Sequence, residues 1–232
     1  MRVTITKSLP NNHKMNNNNN NHLCLNSGIT LFQAIVLGDT DVGKTRLIRS
    51  ANSRQIYSDL PTNGFDFEIL DFNFQGESIK LHLWDTPGRA SSFDLSMSYT
   101  HGKNIVLCVY DDTRRSTFLS SIKRLKLLTE KAEDLTILLV CNNHQGDKQV
   151  TVEEGEETAR KYGALFFDVS ITSTESVVNM ITSAVEHTQE KIMMKTSERS
   201  PNSSFISTSS STSPRPVFNA ITRVFSRGVF AH

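Results

Sequence analysis

The chain has 232 residues, with 25 Lys and Arg against 24 Asp and Glu. That balance leaves no electrostatic footprint for nucleic acid or for an acidic substrate. The length gives one globular domain with room to spare.

Residues 1–28 read as a disordered tail, because Asn11, Asn12 and Asn16 to Asn21 form a polar, low-complexity tract that cannot offset chain entropy. The pattern changes at residue 29. Leu31 to Leu37 is an apolar run of buried-strand type. It leads into Gly38-Asp39-Thr40-Asp41-Val42-Gly43-Lys44-Thr45, which fits G-x-x-x-x-G-K-[ST]. A helical pattern, Arg46 to Ala51, follows. In that setting backbone N–H groups of the loop cradle phosphate oxygens, and the helix adds its positive N-terminal end. Lys44 would reach the terminal phosphates, and the Thr45 hydroxyl would ligate Mg²⁺. The alternative is a plain glycine turn between a strand and a helix.

Asn52 to Asn63 is polar and irregular. Phe65, Phe67 and Ile69 then alternate with acidic residues, and after a shift of face Leu70, Phe72 and Phe74 continue the alternation. Gln75-Gly76-Glu77 is a turn, and Ile79, Leu81 and Leu83 form the second strand of a hairpin. Ile105 to Tyr110 is a strand covered on both faces. Phe118, Leu119, Ile122, Leu125 and Leu128 fall at helical spacing. Thr136 to Cys141 is another buried strand, and Thr151 to Glu154 is a capping box opening a helix to about Tyr162. Leu165 to Val169 is the last strand. Val177, Val178, Ile181 and Val185 mark a last helix that fades near Met194.

Strands alternating with helices predict an α/β fold with a mostly parallel sheet, one antiparallel edge and helices on both faces. Ligands in such folds sit at the carboxyl ends of strands. The phosphate loop, Asp85 to Gly88 and Asn142 to Gln145 all fall there. Residues 29–195 are therefore expected as the domain, 196–214 as a Ser-rich linker, and 215–232 as a tip. Val217, Phe218, Ile221, Val224 and Phe225 share one helical face in that tip. It reads as a basic amphipathic helix for a membrane surface or a partner groove, with a frayed tail as the alternative. Cys24, Cys108 and Cys141 are scattered, two of them in apolar runs, and read as reduced thiols of a cytoplasmic protein. No apolar run has the length of a membrane span, and the N-terminus has no apolar signal core.

The motifs in this order resemble the Ras superfamily of small GTPases, and its Rab branch above all, over about Leu31 to Met194. Besides the phosphate loop, Thr62-Asn63-Gly64-Phe65-Asp66-Phe67 looks like T-I-G-V-D-F of the first switch. Trp84-Asp85-Thr86-Pro87-Gly88 looks like W-D-T-A-G of the second. Tyr99 and Gly102 fit Y-Y-R-G, Val109-Tyr110-Asp111 fits V-Y-D, and Asp168 to Thr172 stand where E-T-S-A-K is usual. The resemblance implies the six-stranded, three-layer P-loop NTPase fold, with GTP or GDP and Mg²⁺ as ligands. Thr45, Thr62 and Asp85 would serve the metal, and Gly88 would give its N–H to the γ-phosphate. Asn142, Asn143, Gln145, Ser170, Ile171 and Thr172 would surround the base. Effectors, exchange factors and activating factors would read segments 52–67 and 85–101. A monomer is expected.

Four departures alter the expectation. Arg89 replaces the Gln that orients the attacking water, and a guanidinium has no acceptor for that task. Slow hydrolysis is expected, although Arg89 as a charge on the γ-phosphate is an alternative role. The guanine-reading N-K-x-D is Asn142-Asn143-His144-Gln145, so the Lys stem and the acidic acceptor are both gone. Asp147 is two residues too far along to replace it without rearrangement of the loop. Asp41 stands where Rab proteins usually carry Gly, and its carboxylate would repel phosphates. Pro87 replaces Ala, removing an N–H and stiffening the switch. No cysteine lies beyond Cys141, so C-terminal prenylation is not expected. The reading that follows is a nucleotide-dependent switch in vesicle traffic or signalling. The alternative is a pseudo-GTPase that persists as an interaction module.

Overall fold

The computed structural model describes residues 5–6, 24–25, 29–52, 66–74, 77–89, 93–131, 135–144 and 146–198. Eight strands join one sheet in the order β1-β4-β5-β3-β6-β7-β8, with β2 paired to β3 off that path. Six of them build the expected sheet: β3 (Ile29–Gly38), β4 (Asp66–Phe74), β5 (Glu77–Asp85), β6 (Ile105–Asp111), β7 (Thr136–Asn142) and β8 (Leu165–Val169). β5, β3, β6, β7 and β8 run parallel, and β4 is antiparallel to β5. Four residues of the stretch expected to be disordered stand in the sheet as two-residue strands. β1 (Ile5–Thr6) pairs antiparallel with β4, and β2 (Cys24–Leu25) pairs antiparallel with β3.

The helices are α1 (Lys44–Ala51), α2 (Phe93–Ser98), α3 (Arg115–Lys131), α4 (Val152–Lys161) and α5 (Thr174–Glu198). Alternation along β3 divides the core. Phe32, Ala34 and Val36 face a cluster closed by α1 and by Val177, Ile181 and Val185 of α5. Ile35 and Leu37 face a second cluster closed by Phe118, Leu125 and Leu128 of α3 and Ala159 of α4. Both faces of the central strands are covered, which is why β6 and β7 are buried along their whole length and read as unbroken apolar runs.

Some expectations shift. The β4–β5 register is continuous from Asp66 opposite Asp85 to Phe74 opposite Glu77, so the shift of apolar face at Leu70 falls within one unbroken strand. Its apolar residues simply serve both faces. Leu70 is buried, whereas Phe67 is exposed and stacks on Trp84 at 5.2 Å between ring centroids. Leu119, placed on the core stripe by spacing, is exposed because the buried face of α3 runs through Phe118, Ser121, Arg124, Leu125 and Leu128. Half of the capping box of α4 forms, with Thr151 Oγ1 accepting from the Glu154 N–H at 3.2 Å, while the Glu154 carboxylate pairs with Arg115. α5 continues through Glu198, four residues beyond Met194. The linker beyond residue 198 and the tip at 215–232 lie outside the described residues, as does most of the first switch segment. Cys108 and Cys141 are buried free thiols, and burial pushes both up to about 12. No helix among the described residues is long and apolar enough to cross a membrane.

Candidate functional site

Five parallel strands end on one side of the sheet, and their last residues deliver the site. Gly38 ends β3, Asp85 ends β5, Asp111 ends β6, Asn142 ends β7, and Val169 leads into Ser170.

The loop between β3 and α1 needs its glycines for stated reasons. A Cβ on Gly38 would lie 2.6 Å from the Val109 carbonyl oxygen and 2.8 Å from Val42 Cγ2. Gly43 has φ +94°, and a Cβ there would strike Ile171 Cδ1. Gly43 is also the N-cap of α1. It offers no side-chain cap, and the first turn of α1 carries no acidic residue. The helix therefore keeps its N-terminal amides and its dipole for an anion. Gly88 comes from across the sheet, where a Cβ would be 2.5 Å from the Thr40 nitrogen and 2.6 Å from the Asp39 carbonyl oxygen. The second switch thus rests directly on the phosphate loop.

Asp41 has φ +60° and is the non-glycine residue with positive φ among the described residues. This gives the Gly-to-Asp departure a backbone meaning. An Asp tolerates the left-handed region better than most residues, at a cost of roughly 1 kcal/mol over Gly.

Lys44, Thr45 and Asp85, the residues expected to serve phosphates and metal, come together at the mouth of this loop. Lys44 is buried, and its Nζ donates to the Asp39 carbonyl oxygen at 2.7 Å. Burial lowers its pKa to about 8, with Asp85 opposing the shift and Arg124 adding to it. A charge so poorly solvated is poised to gain from a phosphate. Thr45 Oγ1 donates to Asp85 Oδ2 at 2.5 Å. A hydroxyl and a carboxylate oxygen, both hard donors and already in contact, fit the donor set that Mg²⁺ prefers. Thr86 Oγ1 donates to the Val36 carbonyl at 2.7 Å and anchors the second switch on β3. Pro87 is buried, and Arg89 is exposed. Thr62 lies outside the described residues.

The residues expected to surround a base are held by different contacts. Asn142 is buried and donates from Nδ2 to the Val42 carbonyl at 3.1 Å, tying β7 to the phosphate loop. Asn143 is engaged on both sides of its amide. Nδ2 donates to Asp168 Oδ2 at 3.0 Å, and Oδ1 accepts from Lys148 Nζ at 3.2 Å. Ser170 and Thr172 hydroxyls lie 2.9 Å apart, and Ile171 is buried beside Gly43. Asp147 is exposed, and Gln145 lies outside the described residues.

Sequence reasoning missed the residues that brace this site. Asp111, Asp112 and His144 meet in a cluster of ligand type. Its carboxylates are already engaged. Asp111 accepts from Thr113 Oγ1 at 2.6 Å and Arg114 Nε at 2.7 Å, and Asp112 pairs with Lys148 at 3.1 Å. The cluster ties the β6–α3 and β7–α4 loops together. Burial pushes the Asp111 carboxyl upward, but hydrogen bonds from Thr113 and Arg114 outweigh this and hold it below the usual range. Arg114 and Arg124 both reach the phosphate loop. Arg114 gives no sequence signal. Arg124 does give one, because it interrupts the stripe of Ser121, Leu125 and Leu128 with a charge.

A glycine-rich loop between a strand and a helix, with a Lys, a Thr and an Asp meeting at its mouth, defines a nucleoside-phosphate-binding α/β domain. The model of the Ras family matches residues 33–190. The chain belongs to that family of small GTPases. It is 33% identical over 152 residues to the Ras-related protein RABC2b of Arabidopsis thaliana, covering 63% of this chain and 74% of the relative. With the Ras-related protein RABC1 of the same plant it shares 35% over 153 residues, covering 63% and 72%. These similarities agree with the Rab-like motifs.

Proposed function

We propose that this chain is a Rab-like switch that binds GTP and GDP with Mg²⁺, hydrolyses GTP slowly, and engages effectors, exchange factors and activating factors in the cytoplasm. Vesicle traffic or signalling is the setting, with peripheral membrane contact through residues 215–232. The observation that carries this reading is the phosphate end. Lys44, Thr45, Asp85 and Gly88 converge on one loop, and the helix behind it is left uncapped by any side chain. The bound ion would neutralise phosphate charge there. Lys44 holds the loop closed through Asp39 and would turn its charge to the phosphates. Asp85 orients the Thr45 hydroxyl, and Gly88 gives the second switch its close approach. Thr62 completes this set by resemblance.

Two features support weaker binding than in proteins with the full motifs. The Asn143 amide is already shared between Asp168 and Lys148. Gln145 offers a neutral acceptor in place of a carboxylate. Hydrolysis is slow because Arg89 cannot accept a hydrogen bond from water.

The nucleotide content of the purified protein tests the reading. The protein is denatured and the supernatant is run on an ion-exchange column. GTP in the supernatant is the expected result. GDP would mean that hydrolysis proceeds despite Arg89. A folded protein that is empty and ignores added GTP with Mg²⁺ overturns the reading in favour of an interaction module.

A further inference from the structure

The phosphate loop carries two carboxylates, Asp39 and Asp41, at a place built for anions. It also carries a non-glycine residue at φ +60°. Both features ought to weaken it. Two arginines approach it from the same flank. Arg114, in the turn before α3, donates from Nη2 to the Asp41 carbonyl at 2.7 Å, and from Nη1 and Nη2 to the Thr40 carbonyl at 3.4 Å. These are the two carbonyls that bound the left-handed turn. Arg114 Nε is fixed by Asp111 Oδ2 at 2.7 Å, and Asp111 is fixed in turn by Thr113. One edge of the guanidinium is thus anchored to β6 while the other grips the loop. Arg124, on the buried face of α3, places Nη2 2.8 Å from Asp39 Oδ1. It is 5% exposed, so this pair is shielded from solvent on the arginine side. The Asp39 carboxylate is drawn against α3 while its carbonyl receives Lys44.

We propose that Arg114 and Arg124 are positioning residues for the phosphate loop, offsetting the charge and the backbone conformation of its two aspartates. The proposal rests on the nucleotide-binding reading and extends it. The shape of the loop, and with it the residence time of a bound nucleotide, is set from α3. Arg114 acts on the left-handed turn, so its effect depends on Asp41. A glycine at position 41 takes φ +60° without help. Arg124 acts on the Asp39 carboxylate, so its effect does not depend on position 41.

The test compares the full chain with Arg114→Gln, Asp41→Gly and the double variant. Two quantities are read. One is the dissociation rate of fluorescently labelled GDP in the presence of Mg²⁺. The other is amide hydrogen exchange at residues 39–43 in nucleotide-free protein. Arg114→Gln is expected to speed GDP release by about fivefold to tenfold, the scale of one ordinary hydrogen bond. On the Asp41→Gly background the same change is expected to be about twofold or less. Arg114→Lys keeps the charge but not the fork, and is expected to recover only part of the rate. Equal effects on both backgrounds, or full rescue by Lys, overturn the positioning role. Arg124→Gln is expected to speed release to a similar extent on either background. Where that variant fails to fold, Arg124→Lys replaces it, and an unchanged release rate counts against the proposal. If the wild-type chain takes up no GDP, the nucleotide reading fails and the exchange arm decides alone. Faster exchange at 39–43 in Arg114→Gln then supports positioning, and unchanged exchange overturns it.

Discussion

The two ends of the site are made of different materials. The phosphate end is mostly backbone and geometry: Gly38, Gly43 and Gly88 allow close approach, α1 supplies its amides, and Lys44, Thr45 and Asp85 add charge. The base end is made of side chains that must match a donor and acceptor pattern. Substitution has touched both ends. Asn143 and Gln145 stand where a lysine and an acid are usual, while the phosphate end keeps Lys44, Thr45, Asp85 and its glycines and departs at Asp41, Pro87 and Arg89. The difference teaches that affinity and selectivity can part company in this architecture. On the proposed reading, charge and helix dipole would hold any nucleoside polyphosphate, whereas the side chains after β7 and β8 would distinguish one base from another.

The largest effect is expected at the phosphate end. Lys44→Ala should weaken labelled GDP binding by about a hundredfold or more, since it removes charge-assisted hydrogen bonds at about 1.5–3 kcal/mol each. A loss below tenfold in equilibrium titration would mean that the phosphate end does not dominate affinity. Next comes repair of the base end. Asn143→Lys combined with Gln145→Asp should raise the ratio of GDP to ADP affinity by about tenfold to a hundredfold, the range of one good bidentate contact. An unchanged ratio would show that selectivity resides elsewhere. Arg89→Gln should speed single-turnover GTP hydrolysis by about tenfold, while leaving GDP affinity unaltered. A rate equal to the wild type in quenched-flow assays would remove Arg89 from the account of slow hydrolysis.

The smallest effect concerns the brace rather than the ligand. Asp111 has its folded-state pKa held below the ordinary 3.8. Such a group contributes stability above its unfolded pKa and loses it as pH falls through the folded value. The urea midpoint of the wild type should therefore drop more between pH 5 and pH 3 than that of Asp111→Asn. Parallel loss in both proteins would show that Asp111 carries no part of the acid sensitivity.

The long elements were legible because their residues obey one requirement at a time. β6 and β7 are apolar throughout since both faces are covered, and the Thr151 cap needs only its own helix. The phosphate loop was legible because its glycines are irreplaceable. The shift of face read in β4 is real, because its two faces have different neighbours and Phe67 and Leu70 point opposite ways along an unbroken ladder. Leu119 misled because Arg124 and Ser121 hold the core positions that spacing alone would give to apolar residues. The brace built from Arg114, Asp111 and Lys148 was invisible for another reason. It joins three loops by polar contacts that carry no periodicity, and only the fold brings them together.

Trp84 offers an optical consequence. It is the single tryptophan of the 232 residues, and it directly precedes Asp85. Phe67 stacks on one side of it, and the Lys103 ammonium lies 4.2 Å from its ring centre. Indole emission shifts in colour and yield with nearby charge and aromatic packing. The chain therefore contains its own single-site fluorophore beside the second switch, and the proposed exchange of nucleotide would be followed in unlabelled protein at one wavelength.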